Sequence, residues 1–351
     1  MLRALVFLTI TCFSISVSAK RAPPVNIPAL NYQQHLYSVE VIRDEQGAIG
    51  LLNCRKVGQR LPVWRTILYQ YKYHPKEETD VQDIYFRSMK LEHDTLVVMD
   101  EKGRSYRVNA QTGLLPKPYL ISGFDDVLRQ AENTGLFRAA LKILKADKTF
   151  AGMRELYTLM SNQEEQAPHF VLVSAIATWF NRRITDFLTA NRYPSFELRL
   201  RNWITQWPIE KFKTDEVEKI INDRPGRQFT VIFDNSEASL TMARDFAVRF
   251  APQLSAIYLR WVVDRPVPQS AVPFVTAFDI ALNELRLSHF NSKEVMVVGY
   301  ALLDEKRGEN VIPEYAHCPK EYNPCENVGT DLLKVCEAVK ERIQKICRAR
   351  K

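Results

Sequence analysis

The sequence predicts an α+β protein in three parts: a small antiparallel β domain at residues 30–115, a helical middle region at 120–222, and a C-terminal α/β domain at 227–351 whose last helix is stapled by disulfides. Three observations carry that expectation. Residues 227–264 read as a strand, a crossover helix and a second strand. Turn signals between short β-rich runs crowd residues 36–113. Four cysteines fall in the last stretch, two of them on an amphipathic pattern.

The strand–helix–strand unit is the clearest. Residues 229–233 are an apolar run with Thr230, Val231 and Ile232 at its centre, and Asp234, Asn235 and Ser236 supply a turn and a helix cap. Leu240, Ala243, Phe246, Ala247, Phe250 and Ala251 then recur at helical spacing, and Pro252 stops the helix before a strand at 256–263. Two strands joined in this way run parallel with a right-handed crossover.

At the start of the chain, residues 1–19 carry Arg3, an apolar run at 4–13 and Ser16-Val17-Ser18-Ala19 before Lys20. These are the three regions of a secretory signal peptide, too short and too weakly apolar for a membrane span. No later stretch reaches the roughly 18 apolar residues a spanning helix needs. The mature chain is therefore expected to be soluble and exported. It has no Asn-x-Ser/Thr acceptor, which favours a bacterial source and the periplasm.

Pro23, Pro24 and Pro28 make an extended lead-in. Residues 36–42 and 48–54 flank the turn Asp44-Glu45-Gln46-Gly47 as a hairpin, 61–73 is aromatic and β-branched, and 96–108 is a second hairpin about Glu101-Lys102-Gly103. Pro116 and Pro118 mark a boundary. Helices are then expected at 125–144, at 150–160 (Met153, Leu156, Tyr157 and Met160 in step), at 167–188, at 198–207 and at 214–221. His169 reads as a helix-start residue, and Trp179, Trp203 and Trp207 as core. Beyond the strand–helix–strand unit, 280–287 fits helix or strand, and Glu-Val-Met-Val-Val-Gly-Tyr at 294–300 reads as a strand.

Five cysteines remain after cleavage. Cys336 and Cys347 lie eleven residues apart on one predicted helix, about 16 Å along its axis. A disulfide tolerates at most about 7 Å between Cα atoms, so each must look elsewhere. The simplest arrangement is an antiparallel clip, Cys325–Cys336 with Cys318–Cys347, leaving Cys54 free; Cys54 as a partner is the alternative. The spacings are unlike the close cysteine pairs of zinc sites, and no Cys-x-x-Cys exists for thiol exchange. No metal and no cofactor is expected.

Net charge is +7, and +6 without Arg3. The basic residues are scattered among acidic ones, unlike a nucleic-acid footprint. An exported cationic surface is expected to meet anionic lipid heads or cell-wall polymers at most peripherally.

Hydrolase motifs are sparse. Gly-x-Ser-x-Gly, a phosphate-cradling glycine loop and His-Glu-x-x-His are all absent. Phe233-Asp234-Asn235-Ser236 resembles the strand end of haloacid-dehalogenase-type phosphatases, which carry a second aspartate two residues on; here that position is Ser236. Glu77-Glu78 and Asp125-Asp126 are adjacent pairs that do not converge on their own. No catalytic residue is assigned, and Asp234 is the first to replace should the chain be a secreted hydrolase.

The unit at 229–263, with Val272-Pro273-Phe274 where a cis-proline would stand and 295–300 as a last strand, resembles a thioredoxin-like fold. With an export signal ahead of it, the chain is similar to the thioredoxin-like pilus-assembly proteins of F-type conjugative transfer systems (the TraF and TrbC group). Catalytic members of that fold carry Cys-x-x-Cys where this chain has Ser236-Glu237-Ala238-Ser239. The resemblance implies a non-catalytic scaffold or assembly component of a bacterial envelope complex, conjugative (type IV) secretion included, with other envelope proteins as partners. The rivals are a thiol–disulfide oxidoreductase or isomerase using Cys318, Cys325, Cys336 and Cys347, and a secreted hydrolase.

Overall fold

The computed structural model describes residues 24–131, 148–161, 170–204 and 209–350. The expected signal peptide, His169, Trp207 and much of the helix expected at 125–144 lie outside them. The chain divides into two compact units, Met1–Ala110 and Gln111–Lys351.

In the first unit β1 (Leu30–Tyr32), β2 (His35–Arg43), β3 (Gly47–Lys56) and β4 (Pro62–Lys72) form a four-stranded antiparallel meander. A helical turn, α1 (Thr79–Gln82), precedes the three-stranded antiparallel sheet of β5 (Phe86–Glu92), β6 (Thr95–Asp100) and β7 (Ser105–Asn109). Asp44 fixes the β2–β3 turn by accepting from the backbone N–H groups of Gln46 and Gly47, each at 2.8 Å, an Asx turn. Cys54 is free and buried, and burial pushes its thiol up, so it behaves as a small apolar core residue.

A buried carboxylate gathers this unit. Asp83 accepts from Arg43 Nε at 2.7 Å, from Tyr73 at 2.7 Å, and from Tyr71 and Tyr85 at 3.3 Å. Burial alone would raise its pKa; the hydrogen bond from Tyr73 and the Arg43 guanidinium outweigh burial and hold it below the ordinary aspartate value. A depressed folded pKa contributes stability that is fully present above the unfolded value, about 3.9, and lost as pH falls through the folded one. Asp83→Asn is therefore expected to cost about 2 kcal/mol at pH 7. Thermal melts from pH 6 to pH 2.5 should show that difference shrinking below pH 4.

The second unit is built on one six-stranded sheet. Its strands are β8 (Tyr119–Ser122), β9 (Phe170–Ala177), β10 (Phe196–Arg201), β11 (Phe229–Asp234), β12 (Leu254–Arg260) and β13 (Val272–Phe274). They lie in the order β10-β9-β8-β11-β12-β13, and every neighbouring pair is parallel. The helices are α2 (Met153–Met160), α3 (Asn181–Ala190), α4 (Ile209–Asn222), α5 (Glu237–Arg249), α6 (Ala277–Arg286), α7 (Ser292–Asp304), the short α8 (Gly308–Val311) and α9 (Thr330–Arg348). Val217, Ile220, Leu240 and Phe246 of α4 and α5 pack on one sheet face with Val171, Val231 and Leu259. On the other face, Leu156, Phe187, Phe278, Val298, Leu302 and Val339 pack with Leu120, Leu172, Ile232 and Tyr258.

This sheet corrects the expected fold class. The middle region is not a helical domain, and no separate thioredoxin-like domain follows it; residues 119–122, 170–177 and 196–201 are half of the same parallel sheet that holds the 229–260 unit. A strand covered on both faces is apolar throughout, and Phe-Val-Leu-Val-Ser-Ala-Ile-Ala in β9 therefore shows no period to separate it from a helix. The single helix expected at 167–188 is β9, a turn at Thr178–Phe180, and α3. The helix expected at 198–207 begins as β10.

The opposite error falls at 294–300, which is α7 and not a last strand. Asn291 and Glu294 form a capping box, with Asn291 Oδ1 accepting from Glu294 N at 3.1 Å and Glu294 Oε2 accepting from Asn291 N at 2.8 Å. Val295, Val298, Gly299 and Leu302 are buried at helical spacing. Gly299 is required by proximity: a Cβ there would stand 2.5 Å from Val335 of α9.

Disulfides Cys318–Cys347 and Cys325–Cys336, with Cα atoms 5.5 and 5.7 Å apart, staple α9 to the loop before it, each contributing about 3 kcal/mol in the chain-entropy picture. Among the described residues no helix is long and apolar enough to cross a membrane.

Candidate active site

Parallel strands leave all their carboxyl ends on one edge. The chain lays down β8, β9 and β10 outward in one direction, then returns to place β11, β12 and β13 on the other side of β8. A ligand crevice forms outside the carboxyl ends where the order reverses. Here that point lies between β8 and β11.

The register sets what meets there. Ser122 of β8 pairs with Leu172 of β9 on one side and with Ile232 of β11 on the other. Two residues further along the flanking strands are Ser174 and Asp234, about 10 Å apart across two strand spacings. The loop 123–126 leaves β8 between them.

Asp234 is 9 % exposed. Its Oδ1 accepts from Ser236 Oγ and Ser239 Oγ, each at 3.1 Å, at the start of α5. The two serines of Ser236-Glu237-Ala238-Ser239 thus orient a carboxylate. Asn235, fully buried, locks the strand exit: its Oδ1 accepts from Val262 N and Val263 N, and its Nδ2 donates to Val263 O at 2.8 Å.

Asp125 and Asp126 turn to different partners. Arg129 Nε donates to Asp125 Oδ1 at 3.0 Å. Asp126 adopts φ +56°, a left-handed conformation that aspartate tolerates. Its Oδ1 accepts from Ala131 N at 2.9 Å and from Tyr315 OH at 2.6 Å, so the segment next to the Cys318 disulfide reaches this loop. Arg260, 2 % exposed, holds the loop from below: its guanidinium donates to Val127 O at 3.2 Å and to Val275 O at 2.9 Å and lies 3.7 Å from the Phe150 ring centroid. Burial lowers its pKa to about 10, which leaves it charged at neutral pH.

Gly123 faces Phe233. A Cβ on Gly123 would stand 2.8 Å from Phe233 Cδ1, and Lys213 Nζ of α4 lies 5.8 Å from the centroid of that ring. The ring fills the place a side chain at 123 would need. Gly123→Ala is expected to destabilise by about 1–3 kcal/mol through overpacking, and Gly123→Ala with Phe233→Leu to recover part of that loss. A double-mutant cycle by urea denaturation measures the coupling.

A haloacid-dehalogenase-type pair would place two aspartates two residues apart at one strand end. β11 offers Asp234 followed by Ser236, and β8 offers Gly123 followed by Asp125. Neither end holds both. Among the described residues no group of three or more His, Cys, Asp or Glu side chains could hold a metal ion.

Of the residues singled out by sequence, Asp234 stands at the crevice, and the four tail cysteines form structural bridges outside it. Trp179 and Trp203 are not core: they are 64 % and 45 % exposed. Ser174 is hidden in the sequence because β9 reads as helix, the loop 123–126 because β8 is only four residues long, and Lys213 because only the packing of α4 brings it to Phe233. The signal that could have found the loop is Tyr-Leu-Ile-Ser after two prolines, broken by Gly123 and two aspartates.

A family model described as phosphatidate phosphatase APP1, catalytic domain, matches residues 119–261. No curated protein and no solved structure matches significantly. The match begins with β8, ends just past β12 and contains every strand end that lines the crevice. It overturns the resemblance to the TraF and TrbC pilus-assembly group, and with it the thioredoxin-like, conjugation and type IV secretion expectations. Of the functions expected from sequence, the comparison favours the hydrolase.

Proposed function

We propose that the second unit is a phosphate-ester hydrolase, exported, with a lipid phosphate of the phosphatidate kind as its substrate class. The observation that supports this reading is the coincidence of the phosphatase-like segment with the order-reversal crevice, on whose edge the strand ends place Asp125, Ser174 and Asp234. Two disulfides fit an oxidising compartment.

Asp234 is the nucleophile in this reading. Asp125 is engaged by Arg129 and Asp126 by Tyr315, whereas Asp234 is held through one oxygen by two serine hydroxyls. Its other oxygen attacks phosphorus as the ester P–O bond breaks, and the leaving alkoxide takes a proton from solvent. Water then cleaves the aspartyl phosphate, releasing inorganic phosphate and restoring the carboxylate. Lys213 offsets phosphoryl charge at the crevice edge.

One observation favours a second reading, in which the ester is bound and not turned over: Phe233 fills the space at Gly123, so β8 brings no carboxylate to its tip. The test is phosphate release from dispersed phosphatidate by the purified full chain, beside equilibrium binding of a soluble short-chain phosphatidate. Catalytic release supports the hydrolase. Saturable binding without release supports the second reading, and neither result overturns both.

A further inference from the structure

The carboxyl edge that holds the crevice also carries an aromatic pair, Trp179 and Trp203, 64 % and 45 % exposed. Trp179 lies two residues past the end of β9 and Trp203 two past the end of β10, so the parallel sheet delivers both to the same edge as Asp125 and Asp234. Their ring centroids lie 5.8 Å apart. Ile204 beside them is 87 % exposed. Tryptophan is costly to leave in water, and its amphipathic ring is favoured at membrane–water interfaces. Scattered exposed apolar residues are ordinary, but two adjoining indoles and an isoleucine on the sheet edge that carries the crevice mark an interaction surface.

Charge selects the partner. Arg182, three residues after Trp179, has a 95 % exposed side chain, and its ion pair to Asp186 among the described residues is 3.9 Å long. Such an exposed pair contributes little and leaves the guanidinium available to a headgroup. The first turns of α4, which starts from this same edge, add Lys211 and Lys213. We infer that Trp179, Trp203 and Ile204, rimmed by these cations, dock the crevice onto an anionic lipid surface, with the indoles at headgroup depth. The inference rests on the lipid-phosphate reading for its purpose, though not for its test.

The test is flotation of the full chain with phosphatidylcholine vesicles, with and without phosphatidate, read together with tryptophan emission. Wild type is expected to float with the anionic vesicles, to blue-shift, and to be released as salt rises. Trp179→Ala/Trp203→Ala is expected to lose at least about tenfold in vesicle affinity with an unchanged melting temperature, and Arg182→Glu to weaken only the anionic component. Equal binding to neutral vesicles, unchanged binding by the double variant, or a wild-type dimer that the double variant makes monomeric would each overturn the assignment. Vesicle binding without phosphate release leaves the docking surface standing and removes the hydrolase reading. Release from a soluble ester without vesicle binding does the reverse.

Discussion

Asp234→Asn is expected to lower phosphate release on the order of a thousandfold or more, the scale seen when a member of a covalent catalytic unit is removed. The amide keeps the size of the carboxylate and can still accept from Ser236 and Ser239, so the melting temperature should move little. That split between activity and stability is what separates a nucleophile from a helix cap. Ser239→Ala, which removes one of the two hydroxyls aimed at Oδ1, should give a smaller loss in kcat with KM held. Single-turnover measurement of phosphate release by the three proteins is the check. Full activity in Asp234→Asn would place the nucleophile elsewhere and remove the mechanism.

The largest stability effect is expected at Arg260. Its guanidinium is fully buried against Phe150 and Phe274, donates to two carbonyls from different loops, and has an Nε without a hydrogen-bond partner among the described residues. Arg260→Ala removes the packing between the two rings and strands the carbonyls of Val127 and Val275, at a cost of about 3–5 kcal/mol. Arg260→Met keeps most of the volume and sheds the desolvated charge, so its cost in global stability should be far smaller. It should nevertheless loosen the 123–127 loop, visible as faster amide exchange at Val127 and Leu128 while exchange in β11 is unchanged. Equal global losses in both variants would mean that charge, and not packing, decides.

How much of this was legible in the sequence depends on which elements carry their own punctuation. β11, α5 and β12 do: Asp234-Asn235-Ser236 and Pro252 bracket a helical period between two β-branched runs, and the structure pairs those strands in parallel. β9 does not, because a strand roofed on both faces loses the alternation that identifies it. α7 deceives in the other direction, since its valines suggest a strand while the Asn291–Glu294 box and the 295, 298, 299, 302 spacing carry the helical signal. The site follows the same logic. Asp234 is visible because its strand is visible; the loop after β8 is hidden with its four-residue strand, and Lys213 reaches the crevice only through the packing of α4 on Phe233. Trp179 and Trp203 resemble core residues because composition does not reveal which edge of a sheet an indole will leave from.

The hydroxyl that Tyr315 gives to Asp126 comes from beyond the phosphatase-like segment, as do α6, α7 and α9, which roof one side of the sheet. Excising residues 119–261 would therefore not liberate a self-sufficient domain. It would leave Leu120, Ile232 and Tyr258 wet along an oily flank, and cut away the brace that keeps the Asp125–Asp126 hairpin of backbone from swinging. In this chain the tail is a splint for the loop after β8, and its two sulfur bridges are the pins that hold the splint on.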